Sequence, residues 1–383
     1  MQAVVDRMGG SIQQAKRVKR LWLMVGFLAL LLIASACSES QPEASPEDIL
    51  KLGFDPSTVG DGEGKKVPGL PAGFTYTEVV PTGKYSDPDV IALDPTEKYL
   101  FFVTHLQSPD GEVYRVDLET GEATRLIRGL QRPGGIAYYE PGNVLIVGEE
   151  GTGLGPDELK QGFWYAINPD VPDQDIPQPL RAMGQARWEG FEIVSADTMY
   201  LGEDQPHGGP IYKYIVDSPP DLTKGTLYVF KKDEGWIKTQ YLEAPDTGKE
   251  GTDFFAAEDM HIGPDGKLYM VISAQAENKV VAIDIVTAKV TDFVIAKGNK
   301  GFERPDQLAF SPNGVLFITA GGEVWAALPD GPDDDTLSDG VFRFLKDLDT
   351  VQGIWFTRDG STFYLSARAA TDGIFAISGF NFQ

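Results

Sequence analysis

Asp89, Glu189, Glu258 and Asp306 stand at one place in four copies of a short repeated phrase. Gly134 and Gln352 hold that place in two further copies. Two acidic pairs, Glu149-Glu150 and Glu203-Asp204, fall at the end of the next apolar run in the second and third copies. If these positions converge, up to eight carboxylates share one opening. Crowded carboxylates repel and raise one another's pKa unless a cation holds them. Oxygen ligands without cysteine and with little histidine suit a hard ion such as Ca²⁺. The candidate ligands are therefore Asp89, Glu149, Glu150, Glu189, Glu203, Glu258 and Asp306, with Glu192 and Asp259 as outer members. The competing reading is a set of solvated or arginine-paired acids, Asp306 with Arg304 or Arg368 for example.

Whether these residues meet depends on the elements that carry them. Pro88-Asp89-Val90-Ile91-Ala92-Leu93-Asp94-Pro95 matches Pro305-Asp306-Gln307-Leu308-Ala309-Phe310-Ser311-Pro312, and each precedes an apolar run. Pro133-Gly134-Gly135-Ile136, Trp188-Glu189-Gly190-Phe191, Ala257-Glu258-Asp259-Met260 and Val351-Gln352-Gly353-Ile354 open the other copies. Each reads as a strand, a turn rich in Gly, Asn or Asp, and a second buried strand. A third follows in Gly111-Glu112-Val113-Tyr114-Arg115-Val116-Asp117 and in Lys279-Val280-Val281-Ala282-Ile283-Asp284. The openings at 89, 134, 189, 258, 306 and 352 lie 45 to 69 residues apart. That spacing, with about four short strands per unit, predicts an all-β, six-bladed β-propeller over residues 74–383. The last copy ends one strand short after residues 374–378, and residues 74–80 supply the missing strand and close the ring. Innermost strands line the channel of a propeller. The second strand runs antiparallel to the first, so its end returns to the same mouth.

The chain has 383 residues, 42% hydrophobic and 23% charged, with a formal net charge of −24. Such a surface repels nucleic acid and leaves cations or a protein partner with a basic face. Cys37 is the single cysteine, so an internal disulfide and a thiolate zinc cluster are excluded. The basic run Lys16-Arg17-Val18-Lys19-Arg20 precedes an uncharged apolar stretch over residues 21–36, and small residues lead into Cys37. This is the order of a secretory signal, and Ala34-Ser35-Ala36-Cys37 resembles a bacterial lipobox. Residues 1–36 are accordingly expected as a signal, Cys37 as a lipidation site, and residues 37–73 as a flexible tether rich in Ser, Pro, Glu and Gly. Ser45 would cap one short helix there. The alternative is an uncleaved anchor, although its 16 apolar residues fall below the ~17–25 that span a bilayer. Either way, the body is expected to be exported and held on the periplasmic or extracellular side of a membrane.

The phrases Trp188-Glu189, Tyr200-Leu201-Gly202-Glu203-Asp204, Ile211-Tyr212-Lys213-Tyr214, Ala257-Glu258-Asp259, Arg304-Pro305-Asp306 and Gly148-Glu149-Glu150 carry a family resemblance. Their order resembles the PhoX-type alkaline phosphatases, six-bladed propellers with a calcium–iron cluster in the channel mouth. The resemblance implies phosphomonoester hydrolysis and the ligands Glu149, Glu150, Glu189, Glu203, Glu258 and Asp306. Gly148 stands where that family has cysteine, which makes iron doubtful and leaves Ca²⁺ as the expected metal. The family's His-Glu is here Trp188-Glu189, and its late Gln-His-Pro-Gly has no counterpart.

Other chemistry has little footing. No Gly-x-Ser-x-Gly nucleophile elbow occurs. His105 ends a second strand and would face the mouth, His207 reads as a surface-loop residue, and His261 reads as a core or strand residue. Gly60-Asp61-Gly62-Glu63-Gly64-Lys65-Lys66 lacks the spacing of a phosphate loop. The acidic run over residues 330–339 reads as a solvated loop. Three functions follow. The first is a lipid-anchored, calcium-dependent phosphomonoesterase assisted by Lys213 or Arg368. The second is a non-catalytic, membrane-tethered propeller that docks as an accessory subunit. The third is a lactonase of the gluconolactonase type with one Ca²⁺ in the channel.

Overall fold

A computed structural model describes residues 44–151, 162–205, 208–239, 251–274, 277–296 and 302–382. They form six antiparallel sheets, the blades of the expected propeller. The innermost strands are Pro88–Leu93, Pro133–Tyr139, Trp188–Ile193, Ala257–Ile262, Pro305–Phe310 and Thr350–Phe356. Their partners are Tyr99–Thr104, Val144–Glu149, Thr198–Glu203, Leu268–Ala274, Leu316–Ala320 and Thr362–Arg368. Among the described residues the second blade has three strands, the third has five, and the rest have four. Thr75–Val80 pairs antiparallel with Gly373–Ser378, Tyr76 opposite Ile377. The outer strand of the last blade thus comes from ahead of the first, and the ring is closed. Both faces of most strands are buried between neighbouring blades, which is why they read as near-continuous apolar runs rather than as alternating ones.

One irregularity repeats around the ring. Pro88 pairs with Thr104 while Ile91 pairs with Phe102, which leaves an extra residue on the inner strand. Shifts at the corresponding place occur in all five other blades. Such a bulge bends the strand and re-aims the side chains beside it. In four blades the residue just ahead of the inner strand has positive φ: Asp87 at 55°, Arg132 at 44°, Ala256 at 46° and Arg304 at 50°. The repeated phrase is the sequence form of this bent entry.

The segment expected as a tether is in place on the propeller from Ala44 onward. Helix Pro46–Lys51 is capped by Ser45, whose Oγ accepts from the Asp48 N–H at 3.2 Å. Leu52 is fully buried in a cluster with Phe317, Phe344 and Phe363, against which Phe54, Phe74 and Phe380 pack. Asn313 Nδ2 donates to the Lys51 carbonyl at 2.7 Å, and Lys65 pairs with Asp349 at 2.7 Å. The polar average of residues 37–73 hid the few large apolar side chains that cover the join of the fifth and sixth blades. Cys37 and residues 1–36 lie outside the described residues. Among the described residues no helix is long and apolar enough to cross a membrane.

Candidate metal centre

The bulge places Asp89, Gly134, Glu189, Glu258, Asp306 and Gln352 at equivalent positions around one end of the channel. A second set of equivalent positions, at or just past the end of each second strand, holds His105, Glu150, Asp204, Ser273, Gly321 and Arg368. Backbone hydrogen bonds tie this set to the bent entries. The N–H groups of His105, Glu150, Asp204 and Ser273 donate to the carbonyls of Asp87, Arg132, Arg187 and Ala256 at 2.9, 3.0, 2.9 and 3.1 Å. The mouth is therefore built from backbone that every blade shares, and only the side chains differ.

Six carboxylates meet there: Asp89, Glu150, Glu189, Asp204, Glu258 and Asp306. One oxygen from each of Glu189, Asp204 and Glu258 lies within 4.8 Å of the others, and His105, Glu150 and Glu189 form a second such group. Room for Glu189 comes from Gly134, where a Cβ would sit 2.8 Å from Glu189 Oε2. Arginines reach in from the entries. Arg187 Nη2 contacts Glu150 at 2.8 Å and Asp204 at 2.7 Å, and Arg132 contacts Glu150 at 3.1 Å. Arg368 Nη1 donates to Asp89 Oδ2 at 3.2 Å and lies 2.7 Å from His105 Nδ1. The other ring nitrogen of His105, Nε2, contacts Glu150. Among the described residues, Glu258 has no hydrogen-bond donor or ion-pair partner, and the buried Oδ1 of Asp89 has no hydrogen-bond partner.

The charges are unevenly compensated. Burial, then the charges of Glu150 and Glu258, hold the Glu189 carboxyl well above its ordinary range. Burial does the same to Glu258, with Asp204 and Asp306 adding to it. Asp306 is pushed up to about 7 by burial and by Asp89; its oxygens meet the amides of Gln307 and Gln352 at 3.3 and 3.1 Å. Burial opposes ionisation of Glu150, but His105 and Arg132 outweigh it and bring this carboxyl down to about 2. Burial depresses the His105 imidazole, yet Asp89 and Glu150 outweigh it and raise the pKa. A cation is missing from this balance on the side of Glu189, Glu258 and Asp306. Buried carboxylate oxygens without donors are what a hard ion requires, so the residues present fit Ca²⁺.

Two expected ligands do not belong to the mouth. Glu149 accepts from the backbone N–H of Gln131 at 2.8 Å and of Gly162 at 3.1 Å, and from Tyr165 Oη at 3.2 Å. Glu203 accepts from Gln205 Nε2 at 3.3 Å and Tyr212 Oη at 3.2 Å, and burial pushes it up to about 7. Neighbouring side chains of a strand point to opposite faces, so only one member of each acidic pair can face the channel. Those members are Glu150 and Asp204. Lys213 lies 5.2 Å from the Tyr228 ring and 5.0 Å from the Trp236 ring on the outer strands of the third blade, whereas Arg368 is at the mouth. Position 148 admits no side chain, since a Cβ there would lie 2.6 Å from the Trp164 ring. Position 148 therefore supplies no thiolate beside Glu149. His207 is outside the described residues. Asp330, Asp333 and Asp335 approach one another, but Asp333 and Asp335 accept backbone N–H bonds of their own loop.

Glu192, Asp259 and His261 lie farther down the channel. His261 Nδ1 is 3.1 Å from Glu192 and Nε2 is 3.6 Å from Asp259. His261 is a strand residue, as expected, and it lines the channel.

No family model matches the chain, and no curated protein matches it. Solved structures do. A luciferin-regenerating enzyme shares 10% identity and a TM-score of 0.52 over 80% of this chain and 96% of that one. A gluconolactonase from Xanthomonas campestris shares 12% identity and a TM-score of 0.51 over 90% and 95%. Regucalcin, a calcium-binding protein from Agrobacterium tumefaciens, shares 11% identity and a TM-score of 0.50 over 81% and 96%. At these identities the likeness speaks for the fold. It overturns the PhoX resemblance, because the structures found are gluconolactonase- and regucalcin-like propellers. Phrases such as Trp188-Glu189 and Arg304-Pro305-Asp306 begin a bulged inner strand, and each blade here needs that entry. They mark propeller geometry rather than a phosphatase.

Proposed function

We propose that the protein is a calcium-dependent hydrolase that opens a small ester or lactone at the carboxylate mouth of its channel. The convergence of Glu189, Asp204 and Glu258 oxygens within 4.8 Å carries this reading. Those three residues would hold the ion, with Asp89 Oδ1 turned toward the same opening. A bound Ca²⁺ would supply Lewis-acid polarisation of the acyl oxygen. Proton transfer falls to the chain itself. Asp306, bonded among the described residues to the neutral amides of Gln307 and Gln352, takes a proton from the attacking water as the water oxygen bonds to the acyl carbon. The same carboxyl returns the proton to the leaving alkoxide as the acyl C–O bond breaks. Arg132, Arg187 and Arg368 hold Glu150, Asp204 and Asp89 in place through their ion pairs. A gluconolactonase and a calcium-binding regucalcin share the fold, which supports the choice of metal and of acyl substrate.

The test is turnover of glucono-1,5-lactone and p-nitrophenyl acetate with calcium and with a chelator. The reading expects chelator-sensitive turnover that Asp306→Asn lowers by about 10²-fold or more. Turnover indifferent to chelator and to Asp306 would remove it. The arginine pairing of Glu150, Asp204 and Asp89 favours a second reading. In it the mouth is closed by its own ion pairs, and the propeller is a non-catalytic platform for a partner with a basic face. Bound calcium with no turnover of either substrate would favour that platform.

A further inference from the structure

The arginines that open the second and third blades each meet a carboxylate at the end of their own blade's second strand. Arg132 contacts Glu150 at 3.1 Å and Arg187 contacts Asp204 at 2.7 Å. Arg304 opens the fifth blade at the same place, and its carbonyl accepts the Gly321 N–H at 3.4 Å. Gly321 stands where those blades have Glu150 and Asp204, so Arg304 lacks the corresponding acid. Among the described residues its guanidinium has no hydrogen-bond or ion-pair partner, and Asp306 is engaged by amides instead. The backbone dictates the glycine. Gly321-Gly322 is a two-residue turn between Leu316–Ala320 and Glu323–Ala327. Gly321 has a φ of 59°, and a Cβ at Gly322 would lie 2.1 Å from the Leu348 carbonyl oxygen. In the first, third and sixth blades residues 105–110, 204–210 and 369–372 make this connection. Of these four blades, the fifth has the shortest rim.

A cleft of ≈ 680 Å³ lies beside this turn, walled by Asp61, Gly62 and Lys65 of the N-terminal segment and by Arg304, Gly321 and Leu348. Its other charges are engaged. Lys65 pairs with Asp349 at 2.7 Å, Lys346 with Asp61, and Arg343 with Glu323 at 3.0 Å. Asp347 accepts the Gly62 N–H at 2.9 Å. Glu303 is exposed and, among the described residues, forms no ion pair with Arg304. Asp306 follows Arg304 by two residues, so their Cα atoms are at most about 7 Å apart. A chain of a few carbons can therefore join an acyl group at Asp306 to a second group at Arg304. A guanidinium offers a planar fork to a carboxylate, whereas a phosphate dianion would call for a second free base. We propose that Arg304 binds a carboxylate on the substrate's tail, so that the substrates are esters or lactones with a free carboxylate a few carbons from the acyl carbon. The substrate class so defined rests on the hydrolase reading of the mouth.

Calorimetric titration of the calcium-loaded full chain with glutarate, and with pentanoate as the chain of equal length bearing one carboxylate, tests the assignment. Glutarate is expected to bind about tenfold more tightly, the low end for a charged hydrogen bond because Arg304 is exposed. Arg304→Gln should bring glutarate to the level of pentanoate. Gly321→Asp restores the acid that the second and third blades have and should do the same by occupying Arg304. Asp tolerates the positive φ of that turn. Absence of glutarate binding at millimolar concentration, equal binding of the two acids, or a glutarate preference kept in Arg304→Gln would overturn the proposal. Turnover of mono-p-nitrophenyl glutarate and p-nitrophenyl acetate separates it from the hydrolase reading. Chelator-sensitive turnover of both esters, with no preference that depends on Arg304, defeats this inference alone. A glutarate preference that Arg304→Gln abolishes, with no turnover of either ester, defeats the hydrolase reading alone.

Discussion

Glu203 and Asp204 are neighbours in the chain with different electrostatic surroundings. Asp204 has Arg187 at 2.7 Å and faces the mouth; among the described residues Glu203 is hydrogen-bonded by Tyr212 and Gln205 and is fully buried. With its carboxyl pushed up to about 7, keeping Glu203 ionised at pH 8 costs about 3 kcal/mol. Glu203→Gln retains an acceptor for Tyr212 and removes that charge. It should raise the melting temperature at pH 8, have little effect at pH 5, and leave calcium affinity unchanged. Glu189→Gln should lower calcium affinity by about tenfold or more, as expected for loss of one charged ligand among few. Titration calorimetry on both variants separates the two roles. The sequence placed four acids at equivalent positions, and the structure brings all four together. It could not choose within Glu149-Glu150 or Glu203-Asp204 from the pair alone, because that choice needs the strand's facing. The runs ahead of both pairs are buried on either face, so alternation does not supply it.

At the scale of the strand, the bulge and its bent entry turn a repeated phrase into a ring of side chains. Gly134 interrupts the acids because the Glu189 carboxylate occupies the space its side chain would need. Gly134→Ala should therefore leave the propeller folded and displace Glu189. The expected result is calcium affinity lowered about tenfold, with an unchanged far-ultraviolet spectrum. The blade entries were legible as phrases, and the ring closure was legible as a strand missing at one end and spare at the other. Their meaning was not. Short motifs that every blade must carry for backbone reasons resemble the motifs of any propeller with the same entry, and the resemblance to a phosphatase arose from that. That His261, a strand residue, lines the channel was not legible for a related reason. An innermost strand in a propeller buries both faces between blades, so alternation with apolar residues does not distinguish core from channel.

Across the whole molecule, the N-terminal segment acts as a clasp over the join of the fifth and sixth blades. Leu52 is buried with Phe317, Phe344 and Phe363, so Leu52→Ala should cost about 2–5 kcal/mol. Urea unfolding would show a lowered midpoint at unchanged slope, whereas a free tether would show none. The mouth also sets how stability depends on pH. Glu189, Glu258, Asp306 and His105 all have raised pKa values in the folded chain, and His261 is raised to about 9. Groups raised in this way stabilise the fold below their unfolded values, and that contribution is lost as the pH rises through the folded ones. The metal-free protein should therefore lose stability from about pH 5 to about pH 9. Glu150, brought down to about 2, acts in the opposite sense, and its contribution is lost only as the pH falls from about 4.5. Calcium should lessen the loss at high pH, because it binds the ionised carboxylates. The most direct measurement is calorimetric titration of the chelator-treated protein with Ca²⁺ at pH 7.5, beside Glu189→Gln and Glu258→Gln. The account predicts one saturable site that both substitutions weaken about tenfold or more. A protein that takes up no calcium, or takes it up equally in both variants, would contradict the metal centre proposed for the mouth.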